Sequence, residues 1–220
     1  MDGSLSAAMT RLGRTADDDA AWQDGLDFLA AAAGLKPVAM FGRGGGDAEF
    51  FRALAREFSL PAIETTPWDP ADPENILPRW YLHATAARRA RGKILLVARE
   101  VALLARAEEM AAKGRVAAAE EAAILGYPPC CVAAHHAAAL GVERAIAERV
   151  ARANGGDEAR CVRLVAAGAT PFVPPPPIAP SRWTSVNLCA PCAADAASPA
   201  MRLERAYADL ARRRGYQARP

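Results

Sequence analysis

The chain has 220 residues and a formal net charge of +2, from 27 basic and 25 acidic side chains. That balance excludes the strongly basic surface that would hold a protein on nucleic acid or an anionic membrane by charge alone. Hydrophobic residues make up 52% of the chain, enough to bury a core, although alanine supplies much of that figure.

The first residues, MDGSLSAAMTRLGRTADDDAAW, lack a basic start followed by an apolar run, so no secretory signal is read there. The apolar run over residues 28–35 is too short to span a bilayer. The expected compartment is the cytoplasm, with no membrane partner and no nucleic acid; a small molecule or another protein is the expected partner. In a reducing compartment, cysteines point to metal binding or thiol chemistry rather than structural disulfides.

The elements alternate through the first half. Residues 18–33 read as a helix, 37–41 (PVAMF) as a short strand, and 47–58 as an amphipathic helix with Phe50, Phe51, Leu54 and Phe58 near one face. Residues 60–65 are a candidate second strand, 67–78 a turn-rich loop, 80–84 a candidate short strand, and 93–97 (KILLV) the clearest strand. The expected fold class is α/β: a small, partly parallel sheet with flanking helices over residues 1–112, followed by a mainly helical, cysteine-containing region over 113–220. In that second region, residues 100–113, 116–125, 129–140, 142–154 and 198–213 read as helices. The Pro-rich loop over 171–180 is expected to be extended.

Gly42 to Asp47 (GRGGGD) lies between a candidate strand and a candidate helix, where a phosphate cradle would sit. Asp47 stands where a dinucleotide fingerprint has its third glycine. A turn with an aspartate cap is the better reading, with Arg43 the counter-charge if an anion bound there.

The chemistry concentrates in the cysteines. Cys130 and Cys131 are adjacent; Cys189 and Cys192 form a C-x-P-C; Cys161 stands alone in a helical stretch and reads as core. Pro129 suits the first turn of a helix. Cys130 and Cys131 would then lie at the positive end of the dipole, where thiolates are favoured. Cys131 and His135 are four apart and share a face, with His136 about 100° further round. Four thiolates close a Zn(Cys)₄ or an iron–sulfur site. Adjacent cysteines fit awkwardly round one small ion, which favours an iron–sulfur cluster bound by Cys130, Cys131, Cys189 and Cys192, with zinc as the alternative. His135 and His136 are spare metal ligands or proton donors.

LGYPPCCV (residues 125–132), followed by Pro191-Cys192 before a final helix, resembles a sparsely characterised prokaryotic family, the DUF483-like group. Its hallmark is G-Y-P-x-C-C-V with a later H-x-P-C-S-x-x-C. The match covers two short motifs. Cys189 stands in the place of the histidine and Ala196 in that of the last cysteine, so the resemblance implies a metal- or cluster-type site with a rearranged ligand set.

Three functions fit these residues. One is an iron–sulfur protein acting as a redox or biosynthetic enzyme. Another is a zinc-stabilised interaction module, and a third a thiol–disulfide or soft-metal handling protein. Tyr127, Trp80 and Trp183 are candidates to wall the site. The arginines at 88, 89 and 91 and at 212–214 read as solvated faces, and His83 as a core or edge histidine. No P-loop, HExxH or Ser/His/Asp arrangement is present.

Overall fold

The computed structural model describes residues 19–42, 48–71, 73–89, 92–174, 179–181, 183–185 and 187–213. The elements run α1 (Asp19–Ala32), β1 (Val38–Phe41), α2 (Ala48–Glu57), β2 (Ala62–Thr65), β3 (Asp69–Pro70), α3 (Arg79–Arg89), β4 (Ile94–Ala98), α4 (Val101–Lys113), β5 (Arg115–Val116), α5 (Ala118–Leu125), α6 (Pro129–Ala153), α7 (Glu158–Ala166), β6 (Ala179–Pro180), β7 (Asn187–Leu188), α8 (Ala190–Ala194) and α9 (Pro199–Arg213). The class is mixed α/β, as the alternation predicts.

The main sheet has the order β1-β4-β2. β4 runs antiparallel to both neighbours, in registers Val38↔Ala98 and Ala62↔Val97. Thus β1 and β2 point the same way, and β4 inserts between them from the opposite direction. Parallel pairing occurs elsewhere, in the two-residue ladder of β3 with β5. Local alternation reports that a strand exists but not where a later strand inserts, so the single partly parallel sheet becomes an antiparallel sheet and a separate parallel ladder.

Every residue of β4 is buried, because helices cover both sheet faces. Leu95 and Val97 pack with α1, α2 and α9 through Phe28, Phe51, Leu54 and Tyr207. Phe41 and Phe51 stack with ring centroids 4.0 Å apart. Ile94, Leu96 and Ala98 face α4 and α5 through Leu104, Met110 and Ile124. Side chains alternate along β1 in the same way, Ala39 and Phe41 to one side and Val38 to the other. Elements from both sides of residue 112 therefore build the layers.

Two elements differ from the expectation. Residues 80–84 are helical, within α3. Pro78 starts that helix, its carbonyl accepting from the backbone N–H groups of Tyr81 and Leu82. Tyr81 and Ala84 then bury one face, three residues apart. The aromatic pair Trp80-Tyr81 resembles a strand only in composition. Residues 129–153 form one 25-residue helix instead of two, since Gly141 interrupts neither its hydrogen bonding nor its packing; at ~1.5 Å per residue it runs for roughly 37 Å. α3, α6 and α7 share a third core of Tyr81, Ala84, Leu140, Val150, Cys161 and Val165. Cys161 is core as expected, its thiol 3.8 Å from the Val150 carbonyl.

Residues 43–47 lie outside the described residues, and with them most of the Gly-rich turn and Arg43; Arg91 and Arg214 lie outside as well. His83 is exposed on α3 rather than in a core.

Candidate metal centre

The start of α6 follows from three local features. Gly126 ends α5 in the left-handed region, φ +76°, and a Cβ there would come within 2.5 Å of Pro37 Cδ; only glycine suits that turn. Pro128 caps α6 and Pro129 takes its first turn, where the missing N–H costs nothing. The backbone N–H of Cys131 donates to the Pro128 carbonyl at 3.0 Å. Cys130 and Cys131 therefore emerge from a fixed first turn.

The second pair is also on a helix. The sequence suggests an extended C-x-P-C, whereas Cys189 caps the five-residue α8 and Cys192 lies within it. Pro191 fits a first turn as Pro129 does. The Ala193 N–H donates to the Cys189 carbonyl at 2.9 Å. Ser198 Oγ donates to the Cys192 carbonyl at 2.9 Å and accepts from the Met201 N–H at 3.2 Å, joining α8 to α9.

These turns bring the four thiols together. All four Sγ atoms lie within 4.8 Å of one another. Cys130 Sγ is 3.5 Å from Cys192 Sγ, and Cys131 Sγ is 3.7 Å from Cys189 Sγ. Cys130 is exposed; the other three are buried among Leu188 and Ala200, with Tyr127 against them. The group can hold a metal ion. Of the aromatics singled out, Tyr127 borders it; Trp80 packs in the α3–α7 core and Trp183 beside α1.

The helix terminus does not decide the protonation of the first pair. A hydrogen bond with Cys192, then burial, raises the Cys130 thiol above its ordinary value. Burial pushes Cys131 strongly up. Cys189 is the exception. Burial opposes its thiolate, but the Cys192 backbone N–H and the thiols of Cys192, Cys131 and Cys130 donate to it and hold its pKa below the usual thiol value. Its ionised form is thus favoured relative to an ordinary thiol, opposite to Cys130 and Cys131, and a bound cation would displace the protons of the cluster.

The structure places His135 and His136 apart from the four sulfurs. Both line a cleft between α3 and α6. His136 Nε2 lies 2.9 Å from Glu121 Oε2, and both side chains are nearly buried. Trp68 Nε1 donates to the same oxygen at 2.8 Å.

Beside the thiols sits a network that no local pattern announces. Lys36 Nζ donates to Asp27 Oδ2 at 2.9 Å, with both side chains buried, and also bonds the Tyr127 hydroxyl. Ser185 Oγ donates to Asp27 Oδ2 at 2.7 Å and Tyr207 reaches Oδ1 at 3.4 Å. The partners stand up to 180 positions apart. A lone lysine before an apolar strand is the only hint in the sequence.

No family model, curated protein or solved structure matches the chain. No helix among the described residues is long and apolar enough to cross a membrane.

Proposed function

We propose that Cys130, Cys131, Cys189 and Cys192 bind a single tetrahedral metal ion, with zinc the best fit, and that this ion clamps α8 and α9 onto α6 as the structural centre of a binding domain. The carrying observation is that four sulfurs lie within 4.8 Å of one another. A Zn–S bond of ~2.3 Å implies sulfurs about 3.8 Å apart round a tetrahedron. The close pairs, at 3.5 and 3.7 Å, match that spacing. Thiolates on an iron–sulfur cluster bind separate irons and stand further apart, so the geometry favours one ion over a cluster. The awkwardness of adjacent cysteines round one ion is relieved because both leave the first turn of α6 and α8 closes on them. Four protein thiolates leave no open coordination position, which suits a structural role rather than catalysis at the metal. The resemblance to the DUF483-like group supports a metal- or cluster-type site and no particular reaction.

The test is anaerobic purification with zinc, iron and sulfide measured on the same sample that gives the absorbance spectrum. The expected result is a colourless protein with one zinc per chain, lost in Cys131→Ser. A brown protein with matched iron and sulfide would replace zinc with a cluster and restore the redox-enzyme reading. No metal, in protein never exposed to air or chelator, would leave thiol–disulfide chemistry of the Cys130–Cys192 and Cys131–Cys189 pairs.

A further inference from the structure

The four sulfurs are not equally sheltered. Cys131, Cys189 and Cys192 are 0%, 9% and 5% exposed and pack among Leu188 and Ala200, whereas Cys130 is exposed. Helical geometry accounts for the difference. Cys130 and Cys131 follow one another in the first turn of α6, so their side chains leave the helix about 100° apart. α8 closes over Cys131 and leaves Cys130 open to solvent. Holding an ion does not require an exposed ligand, so this asymmetry is a property beyond the structural role.

A reagent from solution therefore meets one sulfur first. Cys192 Sγ stands 3.5 Å from it, and a short movement closes that gap to a disulfide of ~2.05 Å. A bond to the neighbouring Cys131 would have to draw together two side chains that the helix directs apart. Cys131 has its own close partner in Cys189, at 3.7 Å.

We propose that Cys130 is the site at which a hydroperoxide oxidises this centre, with Cys192 as the resolving thiol and release of the ion as the result. The release rests on the zinc reading; the order of the thiols rests on exposure and distance. The Cys130 thiolate attacks one peroxide oxygen, the O–O bond breaks and hydroxide leaves, so Cys130 becomes a sulfenic acid. The Cys192 thiolate attacks that sulfur, the S–O bond breaks, a second hydroxide leaves and the disulfide forms. Two thiolates lose two electrons in all and one peroxide gains them; zinc has no redox chemistry and takes no part. Cys131 and Cys189 then remain as the only thiolates on the ion, too few for a closed site, and the ion leaves. The new bond joins α6 to α8, the elements the ion had clamped, so α8 keeps a cross-link when the metal is gone.

Full-length, zinc-loaded protein is titrated with hydrogen peroxide in the absence of air. Released zinc is read with a chromogenic chelator, free thiols are alkylated, and the disulfides are mapped by mass spectrometry. The expected result is Cys130–Cys192 as the first bond, with one zinc lost per disulfide and both changes reversed by reductant and zinc. Dimedone added with the peroxide should label Cys130 ahead of the other cysteines. Cys161, 1% exposed in the core of α3, α6 and α7, is the internal reference and should stay reduced. The proposal is overturned if the first bond joins another pair, if Cys161 oxidises as fast as Cys130, or if the disulfide forms and the zinc stays. A sample that carries no zinc as purified, yet forms Cys130–Cys192 first, sinks the zinc reading and keeps the oxidation site. A zinc-loaded sample whose Cys130 stays unreactive does the reverse.

Discussion

The layers round β4 and the end of the molecule round the start of α6 are closed by different means. β4 is enclosed on both faces by large apolar side chains, Phe28, Phe41, Phe51 and Leu54 on one and Leu104, Met110 and Ile124 on the other. At the start of α6, three of the five buried residues in the cluster are cysteines, and the others are Leu188 and Ala200. One leucine contributes about 2 kcal/mol on burial and an alanine much less. Such a thin cluster cannot by itself hold the five-residue α8 and the two-residue β6–β7 ladder against their conformational entropy, whereas α9 is also anchored on the sheet by Tyr207, Leu210 and Ala211. Small polar segments with little apolar surface need a cross-link or a metal. The comparison teaches where the chain needs chemistry beyond packing, and it can be broken experimentally.

The largest effect is expected at the cysteine end. Chelation, or Cys131→Ser, should release α8 and the start of α9 and lower the stability of the metal-loaded protein by at least ~4 kcal/mol, given the free energies of structural zinc sites. In excess chelator the parent and Cys131→Ser should melt together. A parent protein whose melting is indifferent to chelation would dissolve the contrast. Lys36→Met should come next, at about 4 kcal/mol in chemical denaturation, because it leaves Asp27 buried without its cation.

The same network gives a pH dependence. Burial lowers the Lys36 pKa, but Asp27 and Tyr127 more than offset it, so the net shift is upward from 10.5. Burial, reinforced by Asp27, raises the Tyr207 hydroxyl above 10.0. In both cases the folded chain keeps protons that the unfolded chain releases, so ν_U falls below ν_N. Their contribution is fully present below about pH 10 and is lost as pH rises above it. Urea titrations between pH 8 and 11 should show stability falling over the upper part of that range, less steeply in Lys36→Met. A flat profile would refute the linkage.

Leu96→Ala, in the central strand, should cost about 3 kcal/mol, by the same amount with and without chelator. That invariance sharpens the comparison, since Leu96 packs with the apolar side chains of α4 and α5 and not with the cysteines. The smallest change is Asp157→Ala. Asp157 caps α7 by accepting from the Arg160 N–H at 3.0 Å, and its loss should cost about 1 kcal/mol in thermal or denaturant unfolding.

Much of this was legible from local pattern. The α2 periodicity of Phe50, Phe51 and Leu54, the KILLV strand, the prolines opening α6 and the core role of Cys161 all depend on neighbours within a turn or two. The four cysteines of the cluster were legible as well, because thiols are grouped for few reasons. What local pattern misjudged also has a local cause. Trp80-Tyr81 has strand-like composition inside a helix that Pro78 starts. The C-x-P-C segment reads as extended because a five-residue helix is too short to display a period. The helix terminus alone favours thiolates at Cys130 and Cys131, whereas burial and the facing thiols outweigh it there and lower the pKa of Cys189 instead.

By itself, then, the sequence determined most of the longer helices, the strands β1, β2 and β4, the α/β class and the four sulfurs with a reason to be together. Their convergence across 58 to 62 positions, the insertion of β4 between β1 and β2, and the pairing of His136 with Glu121 rather than with the thiols were decided only by tertiary structure. The physical reason is the range of the forces. Propensity, capping and periodicity act within a few residues, while burial, charge pairing and ligand geometry depend on which distant segments share one volume.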